Sequence, residues 1–438
     1  MTQIPHLTPS VTLRFGVFFD GTANNQANAV TDAGVATGGG GSYANALSNV
    51  ALLHRLYPNG PDPQRPRHYR PLYFEGVGTR AGQPDARLDQ ASGAGATGVE
   101  ARVRQALVEV AEQVRRWPSE HPQQALAGVE FDLFGFSRGA AAARHFANVL
   151  LVEVGDTSPW QASLKDGVTI NFIGLYDTVA AIFDPFTSGH GSGSAGLGGL
   201  RLGLAEGLAR QVVQLVAADE RRHNFPLIAS GHDLVLPGAH ADIGGGYLPR
   251  MMEAVLLSKP FSSRVSVAMA AGDTAAYQAA TQALEALPQV QRAGTLVRTW
   301  EVLSRDHHAR REAPYKQVYA APCREREVWG DLSRVYLSIL RELAVVQGVP
   351  FAPLPAPLLA LPADLLEISA RLHDYALGCR DDPGLDAAQM ALLHARYIHT
   401  SAHWNAVSAW RESVLDGVFI NRPTADGVRQ VHRDVLEG

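Results

Sequence analysis

The stretch VEFDLFGFSRGAAAARHFANVL, residues 129–150, decides the fold. Its first part, 129–136, is apolar and rich in phenylalanine, which predicts a buried strand, and the alanine-rich part 138–153 predicts a helix. Ser137 stands between them, with a glycine two positions before it and another two positions after it. This order predicts a sharp strand-to-helix turn that lifts the serine hydroxyl clear of the sheet.

Gly135 and Gly139 are the residues that such a turn requires, because side chains at these positions would collide around the strained backbone of the serine. The helix that begins behind Ser137 would also present unbonded N–H groups to an oxyanion. Glycine and alanine could instead serve close packing alone, but that would not explain a hydroxyl at the apex of the turn. The pattern therefore predicts that Ser137 is a nucleophile.

A serine nucleophile needs a histidine base and a carboxylate that orients the histidine. Where the serine stands on such a strand-to-helix turn, the serine comes first in the chain, the Asp or Glu second and the histidine last. Asp177 ends the predicted strand 168–177 and is the candidate acid, although an aspartate at that place can equally cap the next turn. His240 ends the predicted strand 232–240 and is the candidate base. His399 and His403 are the alternatives to it.

The loop after the first predicted strand, 11–19, is the candidate source of a second oxyanion donor. We expect backbone N–H groups of Gly21 and Thr22 to act there together with that of Arg138. Asp20 and Asn24 would brace the same loop through side-chain hydrogen bonds.

Asp242 follows His240 by two residues, a spacing that also occurs among metal ligands. Because no third ligand stands at a usable distance in the sequence, we expect no metal site and no other cofactor. Asp242 is instead predicted to orient a neighbouring group or to cap a turn.

Strand-like and helix-like segments alternate over residues 1–250, which predicts a mostly parallel sheet covered by helices on both faces. In that part 70–79 is a predicted strand, 98–117 is a predicted helix that Pro118 would end, and 207–222 is another predicted helix. A glycine-rich insertion near 187–203 and a second glycine-rich segment at 37–42 interrupt the alternation.

The remainder, residues 251–438, predicts a mainly helical cap or C-terminal region packed on this catalytic core. Across the 438 residues 46% are hydrophobic, 18% are charged and the formal charge is −5, so we expect a globular chain without a nucleic-acid partner. The first residues have no basic-then-apolar leader, which predicts synthesis in the cytoplasm without a signal peptide.

Five motifs, in this order, resemble those of the phospholipase effectors of type VI secretion: FFDGTANN (18–25), FEGVGT (74–79), GFSRGAAAAR (135–144), LYDTVAA (175–181) and PGAHADIGGGY (237–247). The resemblance covers about residues 11–250 and implies an α/β-hydrolase-like fold. It also implies a catalytic triad of Ser137, Asp177 and His240, the same residues that their positions favour.

The resemblance further implies hydrolysis of glycerophospholipid acyl esters through an acyl-enzyme, and delivery by type VI secretion to the periplasm or membranes of a rival bacterium. The implied partners are membrane phospholipid as substrate, an immunity protein and a component of the secretion apparatus. Two alternatives are a small-ester hydrolase without lipid preference and a non-catalytic, secretion-linked adaptor on a hydrolase scaffold.

Overall fold

The computed structural model describes residues 9–22, 24–29, 45–79, 98–154, 167–180, 199–303, 314–406 and 419–433. The glycine-rich segment 37–42 and most of the predicted insertion at 187–203 lie outside the described residues.

A seven-stranded sheet crosses the described part of the chain, in the strand order β2-β3-β1-β4-β5-β6-β8. Every neighbouring pair is parallel except β2 with β3, so the predicted mostly parallel sheet is confirmed. The strands are β1 Ser10–Phe19, β2 Gly60–Pro61, β3 Arg67–Phe74, β4 Ala125–Phe136, β5 Gly167–Tyr176, β6 Gln211–Ala217, β7 Leu227–Ile228 and β8 Asp233–Leu236. Of these, β7 lies outside the sheet and pairs with β13, Val431–His432, close to the C-terminus.

Helices cover both faces of the sheet, as predicted, because its central strands are apolar on both sides. The helices are α1 Gln26–Ala29, α2 Asn49–Leu56, α3 Val99–Glu120, α4 Arg138–Val154, α5 His240–Gly244, α6 Ala275–Ala286, α7 Gln289–Arg292, α8 Leu332–Val346, α9 Ala356–Leu359, α10 Ala363–Ala376 and α11 Ala387–Leu392. The helices α3 and α4 bury one face together with Phe15 and Phe131. On the other face α2, α8 and α10 pack over Phe18 and Phe134.

Two of the predicted helices need correction. Residues 211–217, inside the predicted helix 207–222, form strand β6 between β5 and β8. Its valines are β-branched and favour a strand, and pairing with two neighbours outweighs their helix-like spacing. Pro118 does not end α3, which continues to Glu120. The proline has no N–H to donate, but the last turn still closes beyond it, since the N–H of His121 donates to the carbonyl oxygen of Trp117 at 2.8 Å.

The region after residue 250 contains an antiparallel sheet that the expectation of a mainly helical region does not include. Its strands are β9 Arg250–Leu256, β10 Phe261–Ser266, β11 Thr295–Leu303 and β12 Tyr315–Trp329, with α6 packed against β12 and β10. Along β10 burial alternates residue by residue, and along β11 it alternates except at Thr299 and Trp300, as in strands with one covered face. The helices of this region that follow the sheet along the chain include α8, α10 and α11.

The helix α8 belongs to the same hydrophobic core as the parallel sheet. Leu337 and Leu340 are fully buried in one cluster with Phe134 and Phe172 of the central strands. The hydroxyl of Tyr336, also on α8, donates to the carbonyl oxygen of Pro237, just before α5. Residues beyond 250 thus complete one face of the sheet that precedes them.

Leu340→Ala is expected to lower the free energy of unfolding by about 2–5 kcal/mol, since it would leave a cavity between α8 and the sheet. Leu366→Ala on α10 is the matched control, because this leucine is 53% exposed and its loss should change stability by less than about 0.5 kcal/mol. Urea unfolding followed by tryptophan fluorescence measures both. Equal effects of the two substitutions would contradict the position of α8 in the core.

Candidate active site

Ser137 lies at the predicted turn, between the end of β4 and the start of α4. Its φ is +59°, and among the described residues only Ser137 and Asp177 have positive φ without being glycine. Its N–H donates to the carbonyl oxygen of Tyr176 at 3.0 Å, which ties the turn to the end of β5. Backbone strain is thus concentrated at the two residues that the sequence analysis selects as nucleophile and acid.

The glycines two positions before and after Ser137 leave no room for a side chain, because a Cβ at either position would overlap backbone atoms. A Cβ at Gly139 would lie 2.2 Å from the carbonyl oxygen of Phe19, and a Cβ at Gly135 would lie 2.5 Å from the Cα of Ala140. The first contact shows how closely α4 approaches the end of β1. The second shows how tightly the turn itself is closed, as the motif predicts.

The carboxylate of Asp177 lies at the end of β5, the strand beside β4, and is fully buried. Its Oδ2 accepts from Nδ1 of His240 at 2.5 Å, and its Oδ1 accepts from the N–H of Ala217 at 3.0 Å. Two N–H groups of the Arg429 guanidinium donate to Oδ1 and Oδ2 at 2.7 and 2.8 Å. The structure therefore brings together Asp177 and His240, which are 63 positions apart.

Burial opposes ionisation of Asp177, but the charge of Arg429 and the hydrogen bonds from His240 and Arg429 outweigh it and hold the pKa of this carboxyl well below its usual range. An ionised carboxylate at this place accepts from Nδ1 of the imidazole. It leaves Nε2 of His240 as the atom that can receive a proton.

His240 is the first residue of α5, and its ring contacts two aromatic rings. The ring centroids are 4.7 Å from that of Phe136 and 4.9 Å from that of Phe225. Because Phe136 directly precedes Ser137, the imidazole lies beside the turn at Ser137. Burial lowers the pKa of His240 below its usual value of 6.5, although the carboxylate of Asp177 acts in the opposite direction.

A second buried carboxylate, Glu220, supports the backbone of His240. Its Oε2 accepts from the N–H of His240 at 3.3 Å and from the guanidinium of Arg222 at 2.7 Å. Its Oε1 accepts from the hydroxyl of Ser401 at 3.0 Å. The charge and hydrogen bonds of Arg222 overcome the opposing effect of burial and lower the pKa of Glu220 to about 2.

Asp242, predicted to orient a neighbouring group or to cap a turn, forms hydrogen bonds with the start of α5 and with a neighbouring histidine. Its Oδ2 accepts from the N–H of Ala239 at 2.8 Å, at the start of α5, and its Oδ1 accepts from Nδ1 of His399 at 2.6 Å. His403 contacts Asn405 instead. Neither of these two histidines takes the position of His240 beside Asp177.

The loop after β1 lies at the start of α4, but one of its predicted oxyanion donors is already bonded. The N–H of Gly21 donates to Oδ1 of Asp20 at 2.7 Å, which corrects the prediction for Gly21. Asp20 also accepts from the hydroxyl of Tyr73 at 2.6 Å, which ties the loop to β3. The N–H groups of Thr22 and Arg138 have no acceptor within the described ranges and remain the candidate donors.

Asn24 is bonded within this region mainly through its backbone, whereas the sequence analysis expects side-chain hydrogen bonds. Its N–H donates to the carbonyl oxygen of Gly21 at 3.0 Å, and its own carbonyl oxygen accepts from Gly76 at 3.0 Å. Its side-chain amide reaches the carbonyl oxygen of Thr22 at 3.4 Å.

Several residues of the site have no sequence signal that could have revealed them. Glu220 and Arg222 fall in the segment wrongly predicted to be a helix, and Phe225 follows it. Arg429 lies 252 positions after Asp177, so no local pattern links the two.

The described residues contain no cluster of three or more histidine, cysteine, aspartate or glutamate side chains that could hold a metal ion. Every helix in the ranges given above is too short or too polar to cross a bilayer.

Arg429→Met is expected to destabilise the protein by about 3–5 kcal/mol at neutral pH, because it leaves the buried carboxylate of Asp177 without its cation. A carboxyl whose pKa is depressed in the folded state contributes stability above its unfolded pKa of about 3.8, and this contribution is lost as the pH falls. Without Arg429 the depression shrinks, so acid unfolding should begin at a higher pH.

Urea unfolding at pH 7 and an acid titration followed by circular dichroism measure these two effects. Arg104→Met on the exposed face of α3 is the control for loss of one positive charge. Identical acid midpoints for Arg429→Met and the control would contradict the ion pair.

Comparison with known proteins agrees with the motifs. Residues 14–163 match the sequence model of the T6SS phospholipase effector Tle1-like catalytic domain, a range that includes Ser137 and ends before Asp177. No curated protein sequence matches the chain.

Among solved structures, a Tle1 effector bound to the VgrG spike of the type 6 secretion system has a similar fold, with a TM-score of 0.75 and 26% identity over 98% of this chain and 94% of that chain. An uncharacterized protein from Pseudomonas aeruginosa gives a TM-score of 0.47 and 19% identity, over 86% of this chain and 52% of that one. The resemblance to the type VI secretion phospholipase effectors is therefore confirmed, with residues 14–163 matching their Tle1-like catalytic domain.

Proposed function

We propose that the protein is a serine hydrolase that cleaves acyl ester bonds of glycerophospholipids, with Ser137, Asp177 and His240 as its catalytic triad. One observation carries the proposal. A buried, ionised aspartate holds Nδ1 of a histidine at 2.5 Å, and the ring of that histidine lies against the residue preceding a serine on a strained strand-to-helix turn.

In the proposed reaction Nε2 of His240 takes the proton of Ser137 Oγ while the oxygen attacks the ester carbonyl carbon. The tetrahedral intermediate collapses, the carbon–oxygen bond to the glycerol breaks, and the imidazolium returns its proton to the leaving alcohol. Water then attacks the acyl-enzyme, with His240 again as the base, and releases the fatty acid. Asp177 keeps its charge throughout and stabilises the imidazolium.

The oxyanion would be bound by the N–H of Arg138, at the first position of α4, and by the N–H of Thr22. Both groups lie where α4 meets the loop after β1, and neither has another acceptor in the part of the chain that the structure describes. Such donors typically contribute roughly 3–4 kcal/mol each to transition-state stabilisation.

The phospholipid substrate is inferred from the Tle1-like catalytic domain, since the triad alone would serve any acyl ester. The similarity to a Tle1 effector bound to a VgrG spike supports delivery into a target bacterium through a spike component of the secretion apparatus. An immunity protein in the producing cell would follow from such a role.

Ser137→Ala is expected to abolish release of fatty acid from phospholipid vesicles, because no other group on the turn can form the acyl-enzyme. The alanine lacks only the hydroxyl, so the thermal midpoint should stay near that of the original protein. A fluorophosphonate probe should label the original protein and should leave Ser137→Ala unlabelled.

Two other results would contradict the proposal. A protein that hydrolyses short-chain esters but no phospholipid would be a small-ester hydrolase. A folded protein that neither hydrolyses esters nor reacts with the probe would be a non-catalytic adaptor.

The acid limb of kcat/KM for a soluble ester is expected to have its midpoint below pH 6.5. The reason is that His240 must be neutral to act as the base, and burial lowers the pKa of its imidazole. Glu220→Gln should move the midpoint further down, because it removes a negative charge and frees the cation of Arg222. A midpoint above pH 7, or an upward shift in the variant, would contradict this assignment.

A further inference from the structure

The guanidinium of Arg138 stands at the proposed oxyanion site with much of its hydrogen-bonding capacity unused. Its Nε donates to Oγ1 of Thr22 at 2.6 Å, and this is its one side-chain hydrogen bond within the described parts of the chain. The side chain is neither fully buried nor fully exposed, so its remaining N–H groups can meet a ligand. Each guanidinium has five such donors in a fixed planar arrangement.

The other two arginines of the site are fully engaged with acids. Arg429 binds the carboxylate of Asp177 through two nitrogens, and Arg222 binds Glu220 at 2.7 Å. Among the described residues no carboxylate forms an ion pair with Arg138. Burial lowers the pKa of its guanidinium to about 10, and the group is still charged at neutral pH.

A partly buried cation without a counterion reduces the stability of the folded chain, because desolvation is not offset by a partner. An anion that enters the site with the substrate would supply that partner. The proposed cleavage of the ester uses Ser137, His240 and Asp177. It does not require the positive charge of the Arg138 guanidinium.

The position of the guanidinium restricts which anion it can meet. Thr22 and Arg138 supply the two backbone N–H groups proposed to bind the oxyanion, and the hydrogen bond between their side chains places the cation beside them. If an ester carbonyl is bound there, an anionic group only a few bonds away in the same molecule would lie near the guanidinium of Arg138. In a glycerophospholipid the two acyl esters are on neighbouring glycerol carbons, and the phosphate is on the third carbon of the same glycerol.

We propose that Arg138 binds the phosphate diester of the phospholipid substrate and so determines preference for phospholipids over uncharged acyl esters. The inference rests on the proposed function and assigns recognition of the substrate's negative charge to Arg138. Arginine suits this role because its planar fork can donate two parallel hydrogen bonds to one phosphate.

The test compares two soluble substrates with the same acyl chains, dihexanoylphosphatidylcholine and dihexanoylglycerol, each below its micelle-forming concentration. The measured quantity is the ratio of their kcat/KM values, which cancels a general loss of activity. We expect Arg138→Met to lower the ratio at least about tenfold, the size of one lost charge-assisted interaction, and Arg138→Lys to lower it less. Arg115→Met, an exposed arginine on α3, should keep the original ratio.

An unchanged ratio in Arg138→Met would overturn the inference, even if both activities fall together. That result would assign the side chain to the oxyanion itself or to the loop that carries Thr22.

A binding measurement separates this inference from the proposed function. Calorimetry measures binding of dihexanoylphosphatidylcholine, dihexanoylglycerol and inorganic phosphate without turnover. The two proteins compared are Ser137→Ala and the double variant Ser137→Ala with Arg138→Met. The inference is supported if Arg138→Met weakens binding of the phospholipid and leaves binding of dihexanoylglycerol unchanged. This holds even if the original protein hydrolyses neither lipid. Arg138-dependent binding of inorganic phosphate alone would mean a site for free anions and would overturn it.

Discussion

The carboxylate of Asp177 is the constraint on which the site depends. It is fully buried, and burying an ionised carboxyl costs several kcal/mol unless charge and hydrogen bonds replace the lost water. Four N–H donors, from Arg429, His240 and Ala217, replace that water. Because the same carboxylate must remain charged to hold the imidazole, Arg429 contributes to the geometry of His240 through Asp177.

The site is consequently assembled from the whole chain and not from the segment that carries the motifs. Residues after 398 supply the partners of three buried carboxylates: Arg429 binds Asp177, Ser401 binds Glu220, and His399 binds Asp242. The core of the sheet is completed in the same way by α8. The turn at Ser137 can be encoded locally, but the cation that pairs with Asp177 comes from a segment near the end of the chain.

This division explains what the sequence could predict. The turn at Ser137 was predictable because its steric requirements lie within five residues, and Asp177 and His240 were predictable because they follow apolar strands of a parallel sheet. Strand β6 was not, since its valines fit a helix equally well until two neighbouring strands are in place. Nor was the bond between Gly21 and Asp20, which depends on a side-chain orientation that no pattern contains.

Phe136, to which the sequence analysis assigned no role, explains why motifs so distant in the chain meet at one point. A Cβ at Gly21 would lie 2.4 Å from its ring, and a Cβ at Gly244 would lie 2.0 Å from it. One of these glycines belongs to the FFDGTANN motif and the other to the PGAHADIGGGY motif, and the ring of His240 lies on Phe136 as well. The ring of Phe136, directly before Ser137, is therefore the surface against which the loop after β1 and His240 are both positioned, so a shift of this ring would displace both at once.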